Sequence, residues 1–262
     1  MPRRRLDAEL VRRGLAPDAA AAAAAVAAGL VTVGGGPATN AAALVAPADA
    51  VHLARPAGRY VSRGGEKLAA ALERFDVDAR GRDALDAGAS TGGFTDSLLQ
   101  AGAAHVVAVD VGYGQLAWSL RSDPRVIVRE RTNVRDLTRE DLPFPVSLVV
   151  ADLSFVSLAG LVPQLVTLAG VGADLVLLVK PQFEAPEADV GTGGVVRDPG
   201  VRRAAIERVA SAAAASGAGT LAVMRSPIAG PAGNVEFLLH ARAGAVAELG
   251  DPGAPADEDT GA

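Results

Sequence analysis

Four ionisable side chains stand where the sequence otherwise predicts apolar strands and the helix before them. Asp152 and Lys180 each follow a continuous apolar run, Glu236 enters an otherwise apolar strand, and Lys67 lies on the preceding helix. Open α/β sheets bind ligands beyond the carboxyl ends of their strands. A surface ion pair explains any one such residue, but the four together predict a catalytic group of two lysines and two carboxylates.

Lys67 and Lys180 are the only lysines among the 25 basic residues of the chain. A chain rich in Ala, Gly, Pro and Arg indicates a mutational bias away from lysine, so the remaining lysines are expected where arginine cannot substitute. Arginine cannot give up its proton in a protein, and its planar fork differs in shape from an ammonium. The alternative is the chance survival of two surface lysines.

A glycine-rich turn joins the first predicted strand of the larger unit to the following helix. Glycines let the backbone turn sharply and approach a ligand, and the helix start offers that ligand free N–H groups. Asp110, at the end of the next strand, is placed to accept hydrogen bonds from a ribose diol. The candidate cofactor-binding residues of the turn are Asp86, Gly88, Ala89, Ser90, Thr91, Gly92, Gly93 and Phe94.

The residues of this turn leave three interpretations open. A dinucleotide would place its pyrophosphate at the helix start, whereas a methyl donor would place its methionine carboxylate there. The G-x-G-x-x-G spacing that is usual in dinucleotide enzymes is absent. A tight turn without a ligand is the third interpretation.

The elements that must position these residues alternate between strand and helix from about residue 65 onward. This alternation, with apolar runs that suit strands buried on both faces, predicts an α/β doubly wound sheet. Strands are predicted at 84–87, 105–109, 126–128, 146–151, 174–179, 220–225 and 235–241, and helices at 65–75, 94–101, 158–169 and 201–216.

A small unit with two helices and two strands is predicted before the larger one. Leu6 and Leu10 belong to a helix that ends near Gly14, and Asp18 caps a second helix that runs to Ala28. Strands are predicted at 30–33 and 51–53, with a turn at 34–36 between them.

Composition and charge exclude several classes of function. The chain has 262 residues and a net charge of −5, and no apolar run reaches the roughly 20 residues of a membrane span. Charged residues directly after the basic start argue against a signal peptide, so a soluble cytoplasmic protein is expected. The absence of cysteine excludes disulfides and thiolate metal sites. The acidic tail 244–262, rich in Pro and Gly, is predicted to be disordered.

Several segments together resemble the TlyA family, in the same order and along nearly the whole chain apart from the tail. That family joins an S4-type RNA-binding domain to an FtsJ-type methyltransferase domain. The resemblance implies an α/β, Rossmann-like class I methyltransferase domain with a small α+β S4-like domain at its N-terminus. The segments are 60–68, 86–94, 110–116, 130–133, 151–155, 179–184 and 233–237. The implied parts are the S4-like domain 1–55, a linker 56–64, the methyltransferase domain 65–243 and the tail 244–262.

The resemblance also assigns roles to residues. It implies that the Lys-Asp-Lys-Glu tetrad of the family falls on Lys67, Asp152, Lys180 and Glu236. It implies S-adenosylmethionine as the cofactor, held by the glycine-rich turn together with Asp110, Asn133 and Asp152, and it implies no metal. The implied substrate is a ribose 2′-hydroxyl of ribosomal RNA, expected to be that of cytidines in the small or the large subunit, so ribosomal RNA or ribosomal subunits are the expected partners. The arginines expected to contact RNA phosphates are Arg3, Arg4, Arg5, Arg12 and Arg13.

Two mechanisms follow from these roles. Lys180 could take the proton of the hydroxyl, which requires a neutral amine, or the tetrad could form an electrostatic frame that orients the hydroxyl while water takes the proton. The arginines between Arg121 and Arg139 form a second basic stretch, which fits either an RNA contact or a solvated face.

Three other functions stay open as alternatives. Asp152 to Phe155 loosely resembles the motif of amino-methyltransferases that act on a base, although such enzymes do not need two lysines. A membrane-lytic protein, as the name hemolysin in related proteins would imply, needs a broader apolar helix face than these Ala-rich helices offer. A non-catalytic rRNA-binding assembly factor would have no need of an intact tetrad.

Overall fold

The computed structural model describes residues 3–16, 18–27, 29–47, 49–53, 59–248 and 250–256. The chain divides after residue 58 into two compact units. The helix end predicted at Ala28, most of the predicted boundary and linker around residues 54–58, and the last acidic residues of the tail lie outside the described residues.

The first unit packs two helices beside short strands. Its core is formed by Leu6, Leu10, Ala22, Val26 and Val31, all of which are buried. Its elements are β1 (Arg4–Arg5), α1 (Leu6–Arg12), α2 (Ala19–Ala27), β2 (Val31–Val33), β3 (Gly36–Pro37), β4 (Leu44–Val45) and β5 (Val51–Leu53). Strand β1 pairs with β4, and β2 lies between β3 and β5.

The arginines of this first unit divide into paired and exposed side chains. Arg12 and Arg13 both bind the buried carboxylate of Glu9, at 2.7 and 2.8 Å, and Arg13 also donates to the backbone carbonyls of residues 47 and 49. Arg5 pairs with Asp7 at 2.6 Å. Arg13 therefore stabilises the unit, whereas the side chains of Arg3 and Arg4 are exposed.

The second unit contains a seven-stranded sheet in the described part of the chain. Its strands are β6 (Asp83–Ala87), β7 (His105–Val109), β8 (Val126–Arg129), β9 (Val146–Ala151), β10 (Ala169–Val179), β11 (Ala218–Arg225) and β12 (Phe237–Ala243). Their order in the sheet is β11-β12-β10-β9-β6-β7-β8. Its helices are α3 (Gly64–Arg74), α4 (Gly93–Gln100), α5 (Trp118–Arg121), α6 (Val162–Leu168), α7 (Pro181–Glu184) and α8 (Pro199–Ala215).

The sheet is parallel from β8 to β10 and antiparallel at β12 and β11. Leu177 pairs with Ala151 across the parallel strands β10 and β9, so both strands end at the same edge. Val179 pairs with Phe237 across the antiparallel strands β10 and β12. The end of β10 and the start of β12 therefore meet at that edge, which brings together segments far apart in the sequence.

The structure differs from the sequence-based prediction in several elements. The predicted helix 158–169 begins only at Val162, because Pro163 is tolerated in the first turn of a helix and not in its interior. Ala169, predicted to be helical, begins β10, and Glu236, predicted to lie in a strand, directly precedes β12. The predicted turn 34–36 includes the start of β3.

The prediction of a disordered tail is wrong for the residues described after 243. Backbone N–H of Glu248 donates to the carbonyl of Thr220 at 3.1 Å, Asp251 pairs with Arg203 of α8 at 2.5 Å, and Ala256 is buried in the core. The acidic tail therefore finds basic and apolar partners on its own unit, which composition alone does not reveal.

A buried carboxylate at the other edge of the sheet links β10, β12 and the turn before β6. Asp174 on β10 is bound by Arg82 at 2.7 Å, by His240 at 2.8 Å and by Arg242 at 2.9 Å. Burial opposes its ionisation, but the hydrogen bonds from these three side chains outweigh desolvation and hold the pKa of Asp174 well below its ordinary value. The charged cluster therefore stabilises the native state.

We expect Asp174→Asn to destabilise the second unit by about 3 kcal/mol, because it leaves buried basic groups without their counter-charge. Urea unfolding of the two variants Asp174→Asn and Asp78→Asn measures the effect, since Asp78 forms an exposed ion pair with Arg80. The contribution of Asp174 is present above its ordinary pKa and fades as the pH falls below about 4. Equal unfolding midpoints for the two variants would contradict this role.

Candidate active site

Two adjoining clefts open at the carboxyl edge of the sheet in the second unit. One has a volume of about 290 Å³ and is lined by all four residues of the predicted tetrad, Lys67, Asp152, Lys180 and Glu236. The other has a volume of about 470 Å³ and extends from Gly88 past Asp110 to Asn133. Asp152 and Ser154 line both clefts, so they mark the junction between them.

Lys180 lies at the end of β10 with its amine held by two neighbours on the loop after β9. Its Nζ lies 2.5 Å from Oδ1 of Asp152 and donates to Oγ of Ser154 at 2.9 Å. Lys180 is buried while Asp152 is only half-buried, so the carboxylate is the member of the pair that is more exposed to the cleft. An ammonium has three N–H donors, and the remaining donor is available to a bound hydroxyl.

Lys67 and Glu236 form the second ion pair of the cleft. Nζ of Lys67 donates to Oε2 of Glu236 at 2.5 Å, and both side chains are buried. A Cβ atom at Gly230 would lie 2.5 Å from Oε1 of Glu236, so a glycine there lets the loop close on the carboxylate. Two opposite charges out of water stabilise each other in this pair, and loss of either leaves an unpaired buried charge.

The loop that carries Glu236 is fixed by a buried asparagine. Asn234 donates from Nδ2 to the carbonyl of Gly194 at 2.8 Å and accepts the N–H of Val196 at 2.9 Å. Its own carbonyl accepts the N–H of Gly230 at 2.9 Å. Sequence reasoning noted the segment around Asn234 but missed this role, since a contact across nearly 40 residues has no local signal.

The glycine-rich turn has the geometry of a cofactor cradle. Gly88 has a φ of +88°, and a Cβ there would lie 2.5 Å from the carbonyl oxygen of Asp152. The carboxylate of Asp110 accepts the N–H of Ser90 at 2.8 Å and that of Gly112 at 2.7 Å. Bare backbone beside an oriented carboxylate fits a ligand that carries both a charged amino-acid end and a ribose.

The structure places most of the predicted cofactor residues at the clefts and leaves two away from them. Gly92, at φ +98°, packs against Leu120, and Asp86 is fully buried beneath the turn; neither lines a cleft. The larger cleft is lined by Gly88, Ser90, Asp110, Asn133 and Asp152. The tetrad cleft is lined by Gly88, Ala89, Ser90, Thr91, Gly93 and Phe94.

Asp86 accepts a hydrogen bond from Oγ1 of Thr95 at 2.6 Å, and its other oxygen has no partner among the described residues. Burial raises the pKa of Asp86 to about 7, and the nearby charges of Asp152 and Asp110 act in the same direction, while the Thr95 hydrogen bond opposes them. Asp86 lies one residue before the end of a short strand, a position that by itself does not indicate burial of the carboxyl group.

The arginines of the second basic stretch, between Arg121 and Arg139, also fall into two groups in the structure. Arg121 pairs with Glu130, and Arg139 donates to the backbone carbonyls of residues 167 and 169. The guanidinium carbon of Arg131 stacks 4.2 Å from the ring centre of Tyr113, and both side chains are exposed. Arg135 lines the larger cleft. The solvated-face interpretation therefore fits Arg121 and Arg139, whereas Arg131 and Arg135 stay open to a ligand.

Comparison with known proteins is specific in both units. A model of FtsJ-like methyltransferases matches residues 60–243, and a model of the S4 domain matches residues 4–51. The chain is 54% identical over 241 residues to the 16S/23S rRNA (cytidine-2'-O)-methyltransferase TlyA of Mycobacterium tuberculosis, which covers 92% of this chain and 90% of that protein.

Two further relatives carry a different name. Hemolysin A of Brachyspira hyodysenteriae is 40% identical, with 70% of this chain and 76% of that protein covered. A solved structure of a hemolysin from Streptococcus thermophilus is 36% identical with a TM-score of 0.74 and covers 98% of this chain and 94% of that one. No helix in the described part of the chain has the length and apolar surface that a membrane crossing requires.

We expect Asp86→Asn to gain stability relative to the wild type as the pH rises. A native pKa of about 7 means that the folded protein holds a proton that the unfolded chain releases near pH 4. The wild type therefore loses roughly 2–4 kcal/mol of stability between about pH 4 and about pH 7, and the Asp86→Asn variant does not. Denaturant unfolding across this range measures the difference between the two proteins.

The control for this experiment is Asp78→Asn. The hydrogen bond from Arg80 lowers the pKa of Asp78 to about 2. The contribution of Asp78 to stability therefore increases with rising pH, whereas that of Asp86 decreases. A difference between Asp86→Asn and wild type that stays constant with pH would show that Asp86 is ionised alike in the folded and unfolded states.

Proposed function

The chain belongs to the FtsJ-like methyltransferase family, and we propose that it methylates a ribose 2′-hydroxyl of ribosomal RNA, with cytidine as the modified nucleotide. S-adenosylmethionine is the methyl donor. The observation that carries the proposal is the tetrad cleft, in which Lys180 pairs with Asp152, a residue at the junction with the glycine-rich cofactor cradle.

The residues present fit S-adenosylmethionine. Gly88 and Ser90 offer bare backbone for its methionine end, Asp110 accepts hydrogen bonds from its ribose, and Asn133 lies at the far end of the larger cleft for its base. The bound group supplies a methyl on a sulfonium, which is already a good leaving group. The protein therefore has to align the acceptor oxygen and manage one proton.

Lys180 performs the alignment. Its Nζ donates a hydrogen bond to Ser154 and forms an ion pair with Asp152, so a remaining N–H is the one that donates to the 2′-oxygen. Of the two mechanisms that the sequence leaves open, this arrangement favours the electrostatic frame, in which the proton of the hydroxyl passes to water. Holding the oxygen in line contributes several kcal/mol of barrier reduction, of the order expected for oriented reactants.

Lys67 and Glu236 supply the opposite wall of the tetrad cleft. Their buried pair is neutral overall, so it shapes the cleft beside Lys180 without adding a net charge there. A ribose bound between the two ion pairs meets a lysine donor and a carboxylate acceptor on each side, which matches the hydrogen-bonding groups of a diol better than those of an exocyclic amine.

The S4 domain provides the second contact with RNA. Its exposed Arg3 and Arg4 are available to phosphates, while Arg13 is occupied by Glu9 and by backbone carbonyls. On the methyltransferase unit, Arg131 stacked on Tyr113 offers an exposed aromatic and cationic surface of the kind that binds unpaired bases. The substrate class is therefore RNA with an accessible, unpaired nucleotide.

We expect Lys180→Ala to lower the rate of methyl transfer about 10²–10⁴-fold, the range for a positioned group that handles a proton or its oxygen. The rate is measured with purified protein, tritiated S-adenosylmethionine and unmodified ribosomal subunits, and the cofactor affinity is measured by calorimetry. We expect this affinity to stay within about 3-fold of wild type, because Lys180 lines only the tetrad cleft.

The control variant is Arg80→Ala, an exposed arginine in the turn before β6, at the opposite edge of the sheet. Near-normal turnover of Lys180→Ala would contradict the proposed role of the tetrad. Absence of transfer by the wild type to subunits and to free ribosomal RNA would contradict the proposed substrate instead.

A further inference from the structure

Ser154 is placed to decide where the amine of Lys180 points. An ammonium on a four-carbon stem rotates freely unless its donors are taken, and here Nζ of Lys180 lies 2.5 Å from Oδ1 of Asp152 in an ion pair and donates a hydrogen bond to Oγ of Ser154 at 2.9 Å. The hydrogen bond to Ser154 is therefore the directional contact of the amine. Lys180 and Ser154 both line the tetrad cleft, so this hydrogen bond orients the amine at the wall of that cleft.

The backbone of the loop that carries Ser154 adopts a conformation that other contacts must maintain. Phe155, the next residue, has a φ of +62°, the left-handed region that a residue with a bulky side chain rarely adopts. Its ring is 91% exposed, so burial of the side chain does not hold it there. Strained residues of this kind persist only where the surrounding structure fixes them.

The fixing contacts come from the segment directly after Lys180. Glu184, buried at the end of α7, accepts the hydroxyl of Ser157 at 2.7 Å and the N–H of Leu158 at 2.5 Å. The rings of Phe155 and Phe183 lie 5.3 Å apart. The segment 180–184 therefore carries both the reactive lysine and the carboxylate that anchors the loop opposite it.

We propose that Ser154 is a positioning residue for the methyl-transfer reaction, which acts by fixing the amine of Lys180, and that Glu184 holds the loop that presents it. The inference rests on the proposed function for the identity of the reaction. A hydroxyl at residue 154 keeps the third N–H aimed at the acceptor oxygen, whereas an alanine lets the amine turn towards Asp152 or water. The role differs from that of Asp152, which also balances the charge of the lysine.

The kinetic test is the pair of variants Ser154→Ala and Ser154→Thr. We expect Ser154→Ala to lower kcat about 10-fold with little change in the KM for RNA or in cofactor affinity, because the interaction is used in aligning the reacting oxygen. Ser154→Thr retains the hydroxyl and is expected to recover kcat to within about 3-fold of wild type. Ser119→Ala, at an exposed serine on α5, is the matched control.

A second measurement reads the orientation of Lys180 without the reaction. Brief treatment with acetic anhydride followed by peptide mass spectrometry gives the labelling of Lys180 relative to Lys67, the only other lysine of the chain. Loss of the hydrogen bond to Ser154 leaves the amine held by the ion pair with Asp152 alone, so we expect this ratio to rise about 3-fold in Ser154→Ala and to return in Ser154→Thr.

The two measurements separate the failure of this inference from the failure of the proposed function. An unchanged labelling ratio, or a Ser154→Ala enzyme with normal kcat, would overturn the role of Ser154. Equal losses in kcat, cofactor affinity and melting temperature would also overturn it, since they indicate a purely structural residue. If the wild type transferred no methyl group to ribosomal RNA, the proposed substrate would fail, and the labelling ratio would still test the positioning of Lys180.

Discussion

The pairing of buried lysines with carboxylates is the constraint on which the site depends. An ammonium removed from water is costly unless an opposite charge and further hydrogen bonds compensate it. Lys180 meets this requirement through Asp152 and Ser154, and Lys67 through Glu236. The lysine and the carboxylate of each pair come from different parts of the chain, so the site exists only when these elements of the sheet are together. The four charges of the tetrad cancel in pairs, and Arg63 adds one positive charge to the lining of the cleft.

The order and direction of the strands make this pairing possible. Parallel strands β9 and β10 end side by side, which places Asp152 beside Lys180, while antiparallel β12 begins at the same edge and delivers Glu236. The glycine-rich turn after β6 lies next to β9, so the carbonyl of Asp152 approaches Gly88 closely enough to exclude any side chain there. The residue after β9, Asp152, thus forms part of the wall of both clefts. A methyl donor bound in the larger cleft faces a methyl acceptor bound in the tetrad cleft.

The fold class and the family that the sequence predicted are confirmed, and the reasons lie in particular elements. Runs such as 175–179 are apolar throughout, as a strand buried on both faces must be. The glycine-rich residues 88–93 fit neither a helix nor a strand and therefore indicate a turn. Elements without a periodic signal were missed: β1, β3 and β4 have two residues each, and α7 has four. Contacts across long separations, such as Asn234 with Gly194 or Glu184 with Ser157, leave no local pattern, and neither does the burial of Asp86. The tetrad assignment, the cofactor residues and the domain boundaries stay predictions that the geometry supports.

Tandem mass spectrometry of nucleosides from RNA treated with the purified protein assigns the added methyl group to the sugar or to the base. A cleft built of two lysine–carboxylate pairs aligns a hydroxyl, so we expect the ribose fragment of a cytidine to carry the methyl group and the base fragment to be unmodified. A methyl group on the base, at an exocyclic amine, would contradict the role of the two pairs and would mean that the Asp152–Phe155 segment holds a base rather than a ribose in this cleft.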